Sequence, residues 1–161
     1  PLPEAQLDRF LMRVNLGYPS FEEEERILVN LQRQHPIEVI GQVVDVERLR
    51  EMQAVLWEST VDDTVRGYIV RLVQATRGHR DLALGASPRG SLGLYRAAQA
   101  LAAIRGRDFV LPDDVKYLAP HVLAHRLIVK PESALRGRDA SRVLQTVLEA
   151  TPLAVDASTP V

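Results

Sequence analysis

Arg89 follows Ser87 and Pro88 in the stretch LALGASPRGSLGLYRAAQALAAIRGRDFV, residues 82–110. Serine is a preferred N-cap and proline a preferred first helical residue, so the arginine falls in the first turn of a long helix. Free backbone N–H groups and the helix dipole attract anions there, and an exposed cation costs a few tenths to about 1 kcal/mol. A guanidinium in that position suits a site where phosphate stands before the helix mouth. The plainer reading is an exposed arginine, or one paired with a nearby carboxylate. The neighbouring glycines do not make a phosphate loop. Gly85 and Gly90 have the spacing of GxxxxGK[ST], but Ser91 follows directly, with no lysine to reach the outer phosphates.

A second candidate lies in EAQLDRF, residues 4–10, where Asp8 and Arg9 end a short predicted helix. Read from the residues alone, these two are a solvated Asp8–Arg9 surface pair, worth little. The alternation that follows would make Arg13 an outward-facing solvated residue. His121 and His125 are four apart and can share a helix face, yet a zinc protease pattern needs glutamate after the first histidine and Val122 stands there. No metal site is expected. Glu22 to Glu25, and Asp113 with Asp114, read as acids favoured by helix N-termini. No Ser/His/Asp order suggests a catalytic triad.

The elements that would position these residues are mostly helical. Pro3 begins a short helix, and residues 11–16 alternate in a way that predicts a half-buried strand. GYPS at 17–20 breaks the chain. Ser20 and Glu23 form a capping box for a helix over 21–34, and Asp45 caps a helix carrying Val46, Leu49, Met52, Val55 and Leu56. Residues 35–44 read as a loop with some extended character. Further helices are expected over 62–77, from Pro88 to Arg105, from Pro112 to His125, and in DASRVLQTVLEA. LALG and RLIVK read as short extended pieces. Residues 151–161 read as a loose tail.

Composition narrows the function. Lys and Arg number 20 against 21 Asp and Glu, which argues against a general nucleic-acid binder. The chain has no cysteine, so neither a disulfide framework nor thiolate metal ligation is available, and a reducing, cytoplasmic setting is expected. No stretch approaches the roughly 20 apolar residues of a membrane span. The chain starts at Pro1, and it reads as a piece of something longer.

Together, LPEAQLDRF, the YP turn and GASPRGSLGLYRAAQALAAIRGRDFVLPDDV resemble the C-terminal portion of a MoxR-type AAA+ ATPase, over about residues 1–130. The resemblance implies a mainly α fold: a helical lid with short β pieces over 19–150, a helix–strand remnant of the α/β ATPase core over 1–18, and the tail at 151–161. It implies that Arg89 is the sensor 2 arginine contacting the outer phosphate. It implies that Arg9, with Arg13 as the backup, is the arginine finger acting in trans on a neighbour's ATP, where it would neutralise the transferring phosphoryl group. It implies that Tyr18 and Pro19 line the adenine pocket, with a hinge packed for structural reasons as the alternative.

The implied parent is a ring, expected to be a hexamer, that binds ATP and Mg2+ and remodels partner proteins, often ones with von Willebrand factor A domains. No GKS or GKT occurs, nor an apolar strand ending in Asp-Glu, so this chain alone is expected to be inactive and to hold no cofactor. The competing reading is a helical binding module with a winged element, RLIVK as the wing and Arg136 and Arg138 near phosphate.

Overall fold

A computed structural model describes residues 3–32 and 35–153, so most of the expected tail and residues 33–34 of the first long helix lie outside the described residues. The elements in order are α1 (Glu4–Leu7), α2 (Phe21–Leu31), α3 (Val46–Leu56), α4 (Asp63–Arg77), β1 (Leu82–Leu84), α5 (Pro88–Ile104), α6 (Pro112–Leu123), β2 (Ile128–Val129), α7 (Pro131–Leu135) and α8 (Ala140–Ala150). They divide into two compact units, one of residues 1–13 and 55–161 and one of residues 14–54.

The larger unit is a helical body. Val65, Tyr68, Ile69, Leu72, Val73 and Thr76 of α4 are buried at the i, i+3, i+4 spacing of one helix face. They meet Leu94, Ala97, Ala98 and Ala102 of α5, Val115, Ala119, Val122 and Leu123 of α6, and Val143, Leu144 and Val147 of α8. Small residues let α5 and α6 pack closely: a Cβ on Gly93 would lie 3.1 Å from Val122 Cγ1. Side-chain caps open α4 and α8, Asp62 accepting from the Thr64 N–H at 2.8 Å and Asp139 from the Arg142 N–H at 2.8 Å.

Two short strands complete the body. β1 pairs antiparallel with β2, Leu82 opposite Val129 and Leu84 opposite Ile128. RLIVK therefore does supply a strand, but its partner is LALG and it does not project as a wing. The five-residue α7 behind it, opened by Pro131, was not anticipated.

The strand expected over 11–16 does not form. Alternation alone cannot make a strand without a neighbour to pair with, and these backbone groups find other partners. The Arg13 N–H donates to the His121 carbonyl at 2.8 Å, and the Leu11 carbonyl accepts from Arg126 at 3.2 Å.

In the smaller unit, α2 is capped as expected: the Glu23 N–H donates to Ser20 Oγ at 3.3 Å and the Ser20 N–H to Glu23 Oε2 at 2.8 Å. Asp45 accepts from the Arg48 N–H at 2.7 Å at the start of α3. The stretch between them contains a 3-10 turn, Pro36–Glu38, rather than extended chain. Its proline fixes φ in the helical range, which favours that turn over a strand.

Candidate functional site

The N-terminus of α5 is built as its sequence dictates. Ser87 is extended (φ −73°, ψ 172°), Pro88 opens the helix, and Ser87 Oγ accepts from the Arg89 N–H at 3.2 Å. The side chain of Arg89 is 60% exposed.

An anion already stands before this helix mouth, and it is Asp8. Its carboxylate accepts from Ser87 Oγ at 2.9 and 3.0 Å, and its Oδ2 lies 4.0 Å from Arg89 Nε. The separation to Arg89 is beyond hydrogen-bonding distance, so that side chain stays largely available to solvent. Asp8 Oδ1 is also 3.2 Å from Nε of Arg126, a side chain only 3% exposed. Two guanidinium groups thus face one carboxylate and leave a local excess of one positive charge. That is a setting in which a second anion is favoured.

Arg126 is the organising residue that sequence reasoning missed. It donates to the carbonyls of Asp8 (3.2 Å), Phe10 (2.6 Å) and Leu11 (3.2 Å), and to that of Val122 one turn back. Burial pulls its pKa below the ordinary arginine value, against the pull of Asp8. The available signal was a charge inside the otherwise apolar run from Val122 to Val129. His125, beside it, is shifted down by burial, and its Nε2 lies 3.2 Å from the Phe10 carbonyl. A cleft of about 880 Å³ adjoins the cluster, lined among others by Asp8, Arg77, Ser87, His125 and Arg126.

The other candidates fall in different places. Arg9 is exposed, on the same segment as Asp8. Arg13 is exposed too, and only its backbone takes part in the docking described above. Tyr18 and Pro19 lie in the smaller unit and are exposed there. His121 is exposed and stacks at an angle on Tyr117, ring centroids 6.0 Å apart. Among the described residues no three of His, Asp and Glu converge as metal ligands would. Arg136 and Arg138 border a shallow hollow with Arg80, Lys130, Asp81 and Ser133.

Asp114 is a first-turn acid of α6, as expected, and it does more than its neighbour. Its neighbour Asp113 is 84% exposed and pairs with Lys116 as a first-turn acid should, but Asp114 is 1% exposed. It bonds Arg105 at 2.9 Å, Arg107 at 2.7 Å and the Leu111 N–H at 2.9 Å, and so ties the end of α5 to the start of α6. Sequence alone could not separate the two acids, because both sit in the same helix turn.

With this geometry in place, similarity to known proteins becomes informative. The family described as AAA lid domain matches residues 74–147. The protein YeaC of Bacillus subtilis is 44% identical over 98% of this chain and 49% of its own length. The chaperone MoxR1 of Mycobacterium tuberculosis is 41% identical over 91% of this chain and 42% of its own. A crystal structure of a candidate ATPase from Cytophaga hutchinsonii superposes with a TM-score of 0.89 at 30% identity, over 96% of this chain and 50% of that one. The chain thus spans about half the length of the relatives it matches. No helix among the described residues is long and apolar enough to cross a membrane.

Proposed function

The chain belongs to the MoxR family of AAA+ ATPases, and from that premise we propose that it is the lid-bearing part of a ring subunit that binds and hydrolyses ATP to remodel partner proteins. The observation that carries this reading is the exposed Arg89 guanidinium at the mouth of α5, beside Asp8 and the buried Arg126.

In this reading residues 1–18 close the nucleotide-binding core and residues 19–150 form the lid. The chemistry that ATP supplies is a transferable outer phosphate carrying concentrated negative charge. The local positive excess fits such a group, and Arg89 is the residue that would hold it as sensor 2. The cost of a cation at a helix N-terminus becomes a gain once a polyanion stands in front of it. Arg9, exposed at an edge, would serve as the arginine finger toward the neighbouring subunit. Tyr18 and Pro19 would border the base.

Magnesium has no set of three acidic or histidine ligands among the described residues. The phosphate-binding loop and the acidic pair of the ATPase belong, in this proposal, to the remainder of the longer protein. The same reading gives a hexameric ring in the cytoplasm, acting on client proteins that include von Willebrand factor A domains.

The test is ATP turnover and nucleotide binding by the full-length protein with Arg89→Ala, and turnover with Arg9→Ala. We expect the first to lose turnover and weaken nucleotide binding. The second is expected to lose about 10³-fold or more in turnover while remaining folded. Wild-type turnover and binding in Arg89→Ala would return that residue to the surface and overturn the reading.

A further inference from the structure

We propose that Asp8 and Arg126 are positioning residues that strap the segment carrying Arg9 to the helix carrying Arg89, so that the two exposed arginines move as one body. This rests on the reading of Arg9 and Arg89 given above and adds a mechanical link between them.

The geometry is specific to Arg9. Nη2 of Arg126 donates to the carbonyl of Asp8 at 3.2 Å and to that of Phe10 at 2.6 Å, the residues on either side of Arg9. The backbone that bears Arg9 is therefore held at both flanks while its side chain remains exposed. Helix α1, four residues long, is too short to hold that position by itself.

Asp8 supplies the second half of the link. Its carboxylate binds the N-cap hydroxyl of α5 at 2.9 and 3.0 Å, pairs with Arg126 at 3.2 Å, and lies 4.0 Å from Arg89. The residue next to Arg9 thus touches the cap of the helix that carries Arg89, two residues before it. A buried guanidinium is expensive to keep unless its donors are met, and apolar packing would hold a terminal segment at lower cost. Here both terminal nitrogens donate to carbonyls more than 100 residues away in sequence and Nε faces the Asp8 carboxylate, which gives a directional joint rather than a greasy contact.

The functional consequence is a coupling between the two arginines. An anion that draws Arg89 forward competes with Asp8 for it. Asp8 is held in turn by Ser87 and Arg126, so the change is felt in the backbone beside Arg9.

The test uses the full-length ring in a background without other cysteines, spin-labelled at Gln6→Cys and Lys116→Cys, both exposed positions. Wild type is expected to give one narrow label-to-label distance distribution. Asp8→Ala and Arg126→Lys are expected to broaden it, the lysine because it keeps the charge but loses the fork that spans two carbonyls. In the same ring, kcat for ATP is expected to fall roughly 10- to 100-fold with KM within about twofold, the signature of a misplaced group rather than lost binding. Asp8→Glu is expected to recover part of both. Asp8→Asn is near-isosteric at a partly exposed site and keeps the test open should the Arg126 variant fail to fold.

A distribution that stays narrow in Asp8→Ala and Asp8→Asn overturns the strap. Broadening with unchanged kcat overturns its positioning role. Unchanged turnover in Arg9→Ala would instead sink the arginine-finger reading, and the label distances would still report on the strap separately.

Discussion

Arg107 and Asp114 meet at 2.7 Å across the turn between α5 and α6, and the same carboxylate oxygen takes Arg105 at 2.9 Å. The pairing is asymmetric, because the acid is 1% exposed while the two arginines are 46% and 19% exposed at Arg105 and Arg107. Removing the acid therefore deprives two guanidinium groups and the Leu111 N–H of their shared partner, whereas removing either arginine leaves the acid the other arginine and that N–H. Asp114→Ala is expected to destabilise the body by about 2–3 kcal/mol, and Arg105→Ala by less than half of that. Urea denaturation of the two variants beside wild type checks the order.

The same residue sets an acid limit. Burial pushes the Asp114 carboxyl up, but Arg107, the Leu111 N–H and Arg105 outweigh it and hold the pKa below the ordinary carboxylate value. A folded-state pKa below the unfolded one gives stability that is complete above the unfolded value, about 3.9, and is lost as pH falls through the folded value. Melting temperature followed from pH 7 down to 3 should fall below about pH 4 in wild type. Asp114→Asn, less stable at neutral pH, should show a shallower acid limb. Parallel curves would mean that other carboxylates set the limit.

Gly85 lies where the chain leaves β1 and crosses the end of α4. A Cβ there would stand 2.6 Å from the backbone N and Cα of Arg77, atoms that cannot swing aside. Gly85→Ala is expected to cost about 3 kcal/mol or to shift the β1–α5 connection. Gly78→Ala is the control, since a Cβ there meets nothing within 4 Å and its φ of −96° suits any residue. Thermal melts of the two should differ by well over 5 °C.

At the mouth of α5, stability and activity should separate. Ser87→Ala removes both the cap to Arg89 N–H and the hydroxyl bonded to Asp8, and is expected to cost about 1–2 kcal/mol. Arg89→Ala, 60% exposed and 4.0 Å from its carboxylate, is expected to change stability by less than about 0.5 kcal/mol. Denaturation midpoints for the pair test whether Arg89 serves the fold at all.

The local signals in the sequence carried much of the fold. Ser87 and Pro88 before α5, Asp45 before α3, and Ser20 with Glu23 before α2 each act on the next few residues, so their meaning does not depend on the rest of the chain. Alternation over 11–16 misled because a strand depends on a partner elsewhere, and here the backbone is taken by His121 and Arg126. The candidate site was half legible. Arg89 stood out because its charge conflicts with its helix position. The carboxylate that answers it, Asp8, lies 79 residues from the N-cap Ser87, and the charge of Arg126 within an apolar run did not say which distant segment it would hold.

Every described residue of the smaller unit, 14–54, is exposed, even though α2 and α3 carry leucines, valines and an isoleucine at helical spacing. Backbone amides in such a segment are protected from hydrogen exchange only by their own helical turns, while those of α4, α5 and α6 open only with the body as a whole. The chain therefore keeps two clocks. A surface that covered α2 and α3 would slow the fast one by orders of magnitude and leave the slow one unchanged, so exchange rates would identify a docking event that a melting curve of the body would miss.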